Sequence, residues 1–458
     1  MRTRWWVIPA TIFIFLVIAA AALPAVLRAM PSRYVARLPE PIQALSQREQ
    51  PVVLPTAVTA RDAGYLLAEI DAPAVLHAPT HAAPPTPTPL PTTAHSSAAT
   101  NARASATATN AAPAPTDTPA PSPTPAPSAT PSMPIPPSSR LPGRITHQFQ
   151  DWNNCGPATL TMALTHFQVF KPQSQVASFL KPDKEDRNVT PAEMVAYVNE
   201  ETELAALDRV NGNLDTLRRL LAAGFPVIVE IGNDPPGDYR WMGWLGHYLL
   251  AVAYDDDSHT IWVYDSWFGT SEVPQENAHD RGREWDYDTF DSYWRQFNSS
   301  YVVLFPPDER ETVAGIIGSH MDDATMWQDA LHRTQAELQA NGEDAFAWFN
   351  LGTIYNHFGD YKRAADAFDY ARTLGLPRRM LYYQFGPYEA YYETGRYEDV
   401  ILLADVVLEY PYFEEAYYYK GLALAALGNV RDARDNLEKA AAFNPNFAPA
   451  QVALQSLE

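Results

Sequence analysis

From about Ala82 to Pro142 the chain is almost entirely Pro, Thr, Ser and Ala, with runs that begin at Pro84 and Pro119. This stretch constrains everything around it. It has too few large apolar side chains to bury, so it cannot offset the entropy of ordering, and its prolines favour extended polyproline II conformers. The 41 prolines of the chain cluster, which marks a linker and not an unusual fold. Residues 82–142 are therefore expected to be a disordered, semi-rigid spacer that divides the chain into parts that fold separately.

Ahead of the spacer, Met1-Arg-Thr-Arg4 precedes an almost uninterrupted apolar stretch from Trp5 to Leu27, long enough to cross a bilayer. Residues 1–30 read as a transmembrane helix serving as membrane anchor. A cleaved signal peptide is the competing reading, because Ala19–Ala22 supply small residues near a cleavage site, although the run exceeds a usual signal core. Arginines flank the stretch on both sides, so the positive-inside rule leaves its orientation open. Residues 31–81 form a juxtamembrane segment without a clear pattern. A stalk is most useful outside the cell, which places the body on the extracytoplasmic side of a single-pass protein, or makes it secreted if the segment is cleaved.

Charge narrows the partners. With 33 basic against 54 acidic residues the formal charge is −21, which argues against a nucleic-acid partner. One cysteine excludes an intrachain disulfide.

Residues 143–310 turn globular and mixed. Helices are expected at Gly156–Phe167, at Pro191–Asn199 after a Thr190/Glu193 capping box, and at Leu214–Ala223 ending on Gly224. Strands are expected at Pro226–Ile231, Tyr248–Tyr254, Thr260–Tyr264 and Tyr301–Phe305. Helices followed by an antiparallel sheet make an α+β domain.

Cys155, the lone thiol, stands before Gly156-Pro157 at the start of the first helix. Helix N–H groups favour a thiolate there, which makes Cys155 a candidate nucleophile, whereas a lone cysteine is otherwise a small core residue. His247 opens one strand and Asp265 closes the next, so an antiparallel hairpin brings them to one end of the sheet as base and orienting group. Gln150 can offer an amide to an oxyanion beside the Cys155 N–H. Asp255–Asp257 lack EF-hand spacing, and His259, His279 and Asp280 make no convincing zinc site, so no metal and no cofactor is expected.

The run from Gln150 through Cys155-Gly156-Pro157-Ala158 to Thr159, with Gly246-His247 and Tyr264-Asp265 downstream, resembles the papain-like cysteine peptidases related to the bacteriocin-processing, double-glycine leader peptidases. Asn188–Met194 and Ala223–Val229 are similar to that group's stand-alone branch. The resemblance implies a papain-like fold, with Cys155 as nucleophile, His247 as base and acid, Asp265 as orienter and Gln150 as oxyanion donor. The family's Gln lies one position farther from the Cys than Gln150 does, and Gln148 lies on the other side of that position. No Walker-type loop accompanies the domain, so a double-glycine leader substrate is not implied.

Residues 314–458 are expected to be helical throughout and to repeat. Trp348, Leu351, Gly352, Tyr355, Gly359, Tyr361, Ala364, Phe368 and Ala371 follow tetratricopeptide spacing, and Gly395 and Gly428 recur at later turns. Pro387 falls where a helix interior is expected, and Phe447–Leu457 would cap an all-α tetratricopeptide solenoid. Such arrays bind peptides or proteins along a concave face, or here simply pack on the preceding domain. The aromatic set around Tyr382, Tyr383, Tyr388 and Tyr391 is too long for one core stripe.

These features together predict a membrane-tethered bacterial cysteine peptidase acting on a peptide or protein substrate, with a possible protein partner at the repeats. A noncatalytic adaptor and an acyl transferase using the same thiol are the alternatives.

Overall fold

In the computed structural model the residues described are 23, 26, 53–57, 60, 66, 134–235, 243–270 and 281–457. Most of the expected anchor at Trp5–Leu27 and of the expected linker lies outside them, as do His279 and Asp280. Among the described residues no helix is long and apolar enough to cross a membrane.

A seven-stranded antiparallel sheet carries the first part of the body. Its strands are β1 (Ser138–Arg140), β2 (Ala205–Arg209), β3 (Val227–Asn233), β4 (Leu245–Asp255), β5 (Thr260–Asp265), β6 (Arg283–Asp286) and β7 (Tyr301–Phe305). The order is β2-β7-β3-β4-β5-β6, and β1 pairs with the far end of β4. All seven residues of β3 are buried, so both faces of the sheet are covered at its centre. The covering helices are α1 (Cys155–His166), α2 (Gln173–Leu180), α3 (Pro191–Glu201), α4 (Leu214–Ala222), α5 (Tyr287–Trp294) and α6 (Arg310–Ile317).

Local chemistry explains the helix starts. Thr190 N–H donates to Glu193 Oε2 at 2.7 Å and Glu193 N–H to Thr190 Oγ1 at 3.2 Å, closing the capping box of α3. Asn213 Oδ1 accepts from Thr216 N–H at 2.9 Å to cap α4, and Gly224, at φ +90°, ends it.

Three boundaries differ from expectation. The linker does not run to Pro142, because Ser138–Arg140 already pair with Ala253–Asp255. β4 begins at Leu245, opposite Asn233, so His247 lies inside the strand and does not open it. The division at 310–314 cuts through α6, whose Val313 and Ile317 are buried in the core of the sheet domain.

The rest is all-helical and fits a solenoid. A long helix α7 (Asp323–Ala340) leads into three pairs: α8 (Ala345–His357) with α9 (Tyr361–Thr373), α10 (Gly386–Glu393) with α11 (Tyr397–Val407), and α12 (Glu414–Ala426) with α13 (Val430–Phe443). Helix α14 (Ala448–Ser456) closes the array. Gly359, Gly395 and Gly428 sit at the three pair turns with φ of +71°, +74° and +82°, a conformation that costs glycine little. Pro387 lies in the first turn of α10, where a missing N–H is tolerated, so it does not interrupt a helix interior.

Sheet domain and array share an apolar seam. Trp244 and Phe297 from the sheet domain are buried within the array's hydrophobic cluster. Asn350 Nδ2 donates to Arg295 O at 2.7 Å, and Arg333 Nη1 to Ser299 Oγ at 3.1 Å. Asn188 Nδ2 donates to Glu415 Oε1 at 3.2 Å across the same seam. Most of the aromatic excess is internal: Tyr382, Tyr388, Tyr391 and Tyr418 are fully buried.

Candidate active site

The loop before α1 is stapled to its surroundings. Asp151 N–H donates to Gln173 Oε1 at 2.8 Å, Gln173 Nε2 donates back to Phe149 O at 3.1 Å, and Gln150 N–H donates to Ser266 O at 2.8 Å. Asn154 precedes the helix without a side-chain cap, which leaves the first N–H groups for another acceptor. The half-buried Cys155 sulfur takes that place, accepting from the backbone of Gly156 and of Tyr248. Thr159 Oγ1 donates to Tyr248 O at 3.2 Å and fixes α1 against β4.

Strand register brings the other groups in. Leu249 lies opposite Asp265, so His247, two residues earlier, points to the same side of the pleated sheet. His247 Nε2 and Asp265 Oδ1 are 2.9 Å apart. With Nε2 engaged, Nδ1 is the nitrogen left for the thiol, to which His247 is also hydrogen-bonded.

Asp265 is buried and saturated with donors. Its Oδ1 also accepts from Trp267 N–H at 2.8 Å and Phe268 N–H at 3.0 Å, and its Oδ2 accepts from Arg283 Nη1 at 2.8 Å. His147 Nε2 meets the Asp265 carbonyl oxygen at 2.8 Å.

The electrostatics align along this chain. Burial would raise the Asp265 carboxyl, but His247, Arg283 and the Phe268 N–H outweigh it and hold it well below the usual carboxylate range. Burial would lower His247, yet the charge and hydrogen bond of Asp265, with Cys155, push it up to about 10. Burial pushes the Cys155 thiol up, and the hydrogen bond and charge of His247, with the two N–H groups, bring it below its ordinary value. Each shift favours the charged partner of the next, toward thiolate, imidazolium and carboxylate in line.

Gln150 stands one step away. Its Oε1 accepts from Ser266 Oγ at 3.0 Å, which ties it to the residue after Asp265 and leaves the Nε2 hydrogens for another acceptor. Gln148 has no such tie to the Asp265 turn among the described residues.

Arg283, the Trp267 and Phe268 N–H groups and the Tyr248 N–H are not legible in the sequence. They arrive through the β5–β6 register, which sets Val263 opposite Arg283, and through the turn after β5. Among the described residues no cluster of His, Cys, Asp and Glu is placed to hold a metal ion.

The array reaches the site as well. Arg379 Nη1 donates to Trp244 O at 3.1 Å, and the Trp244 ring packs with Phe297, Phe346 and Tyr383 at 5.9, 5.7 and 6.2 Å. A Cβ on Gly246 would lie 2.7 Å from Tyr383 Cδ2 and 2.9 Å from Phe297 Cζ. Gly246→Ala is therefore expected to cost about 1–3 kcal/mol by overpacking next to His247. In a Tyr383→Ala background the same change should cost less, because only the Phe297 ring still crowds the added methyl, the difference being read from urea midpoints. Additive losses in that cycle would show that Tyr383 does not press on the strand.

Residues 141–302 match the profile of the Peptidase_C39 like family, about a third of the chain. Among solved structures the chain is similar to a candidate C39-like peptidase from Bacillus anthracis, at 13% identity over 36% of this chain and 96% of that one, with a TM-score of 0.28. It is also similar to the MamA RS-1 ArsTM double mutant, at 17% identity over 30% of this chain and 85% of that one, with a TM-score of 0.25. No curated protein matches the chain. Residues 141–302 thus form a C39-like peptidase domain of the Peptidase_C39 like family.

Proposed function

We propose that the protein is a papain-like cysteine peptidase that cleaves peptide or protein substrates at Cys155. The hydrogen-bonded line from Cys155 through His247 to Asp265 carries this reading. The thiolate attacks the scissile carbonyl carbon and forms a C–S bond, and the His247 imidazolium gives its proton to the leaving amine as the C–N bond breaks. Neutral His247 then takes a proton from water, which attacks the thioester and releases the acid. Asp265 holds the ring with Nδ1 toward sulfur throughout. The Cys155 N–H and Gln150 Nε2 would receive the oxyanion.

The apolar stretch at Trp5–Leu27 and the proline-rich run after it support a membrane-tethered protein with its body on the extracytoplasmic side. The helical region is read as a tetratricopeptide array that scaffolds the peptidase domain through the Trp244 seam and offers a surface for a protein partner.

Alkylation tests the chemistry directly, because the chain has one cysteine and its labelling reports Cys155 alone. Iodoacetamide labelling of the wild type should fall clearly less between pH 8 and pH 6 than labelling of an ordinary thiol, because the Cys155 pKa is lowered. An ordinary thiol of pKa about 8.5 would slow close to a hundredfold over that interval. Cys155→Ala should take no label and should lose cleavage of a mixed peptide library. A pH profile like that of a free thiol, or a library cleaved equally by Cys155→Ala, would refute the assignment.

A further inference from the structure

Upstream of the proline-rich run, a short extended segment is seated on the helical array. Leu54 N–H donates to Leu376 O at 2.9 Å, Val53 forms an isolated antiparallel bridge with Pro377, and Arg372 Nε donates to Pro55 O at 2.8 Å. Leu54 is 1% exposed and Leu66 5%, and both belong to the array's hydrophobic cluster. Leu66 borders a small cavity with Trp348, Leu351, Tyr355 and Ala367.

On the array side the seat is braced by its own contacts. Arg372 is buried, and its Nη1 donates to Tyr391 Oη at 3.0 Å and pairs with Asp369 at 3.5 Å, so its Nε is held toward the segment. Pro377 has no N–H, and the Leu376 carbonyl takes its donor from the visiting backbone. Pro55 likewise brings only an acceptor, which Arg372 meets. Backbone bonds give such a contact its affinity, and the Leu54 side chain gives it selectivity.

We propose that Val53–Ala57 is a releasable cis-ligand of the array: an extended apolar strap that docks on Arg372, Leu376 and Pro377 and exchanges with peptides of the same Val-Leu-Pro chemistry. The strap and its seat belong to one chain, so the strap is covalently tethered to the array it docks on. A tether of this kind presents the strap at an effective concentration on the order of millimolar, so a free peptide at micromolar concentration competes poorly until the strap lets go.

The experiment uses the full chain in mild detergent and a fluorescein-labelled peptide of residues 50–60. The peptide should bind the Leu54→Asp chain at least tenfold more tightly than the wild type, with both chains unfolding cooperatively. In a second arm, Val53→Cys and Pro377→Cys are combined with Cys155→Ala. Bridge partners have Cα atoms close enough for a disulfide, so mild oxidation should close it, and excess unlabelled peptide added first should slow closure several-fold. Equal peptide binding by both chains, no disulfide, or closure indifferent to peptide would each overturn the proposal.

Discussion

Asp265→Ala should lower the free energy of unfolding by about 3–5 kcal/mol, the largest stability loss expected of any change at the site. Asp265 is 1% exposed and accepts from His247, Arg283 and two backbone N–H groups. Removing the carboxylate takes the shared acceptor from the Arg283 guanidinium and from the Trp267 and Phe268 N–H groups at once, and losing an acceptor costs more than the net worth of the bonds it made. Asp265→Asn keeps the shape and one acceptor oxygen, so it should cost less and separate charge from packing.

The pH dependence has a definite sign. Asp265 is held below its ordinary 3.8, so its contribution is present above that value and is lost as pH falls through the lower folded value. His247 is raised from 6.5 to about 10, so its contribution is complete below pH 6.5 and is lost as pH rises toward 10. Urea unfolding from pH 3 to 10 should show both limbs in the wild type and a flatter profile in Asp265→Ala. A loss under about 1 kcal/mol for Asp265→Ala would mean that Arg283 and the turn find other partners.

The parts of this molecule that are legible from sequence are those whose cause is local. The capping box at Thr190, the stop at Gly224, the apolar runs of β3, β4 and β7 and the glycine turns of the array each state their structure within a few residues. β6 escapes a sequence reading because Arg-Glu-Trp-Asp alternates charge with partial exposure at a sheet edge, which no strand pattern announces. β1 escapes it because Ser138–Arg140 follow a proline-rich stretch and are made a strand only by Ala253–Asp255. Helix α6 has an ordinary helical sequence; which body it packs on depends on a core that sequence does not display.

The site divides the same way. Cys155 and Asp265 are of reactive types at readable element ends, His247 lies two residues inside β4, and one hairpin brings His247 to Asp265. The donors that set their charge come from the β5–β6 register and from a turn, and Arg379 and Tyr383 come from another part of the chain. Only the excess of aromatics near Tyr382 hints at that last contact, and most of that excess is array core. The seam holds the Gly243–His247 segment from outside, through Arg379 at the Trp244 carbonyl and Tyr383 against Gly246.

His247→Ala should reduce the alkylation of Cys155 at pH 7 by about thirtyfold and peptide cleavage by a further factor of about 10²–10⁴. The first figure follows from the balance at sulfur. Burial is the largest influence on Cys155 and raises its pKa; His247 supplies the main opposing hydrogen bond and charge. Without the imidazole the thiol should titrate at or above about 8.5, leaving only a few per cent thiolate at neutral pH. The Gly156 and Tyr248 N–H groups remain, which keeps the loss from being larger. The second figure arises because alkylation needs only the nucleophile, whereas amide cleavage also needs an acid for the leaving nitrogen and a base for water. Raising the pH to 9 should therefore restore most of the alkylation and little of the cleavage. Parallel recovery of both would show that His247 serves only to lower the thiol pKa; loss of neither would remove it from the chemistry altogether.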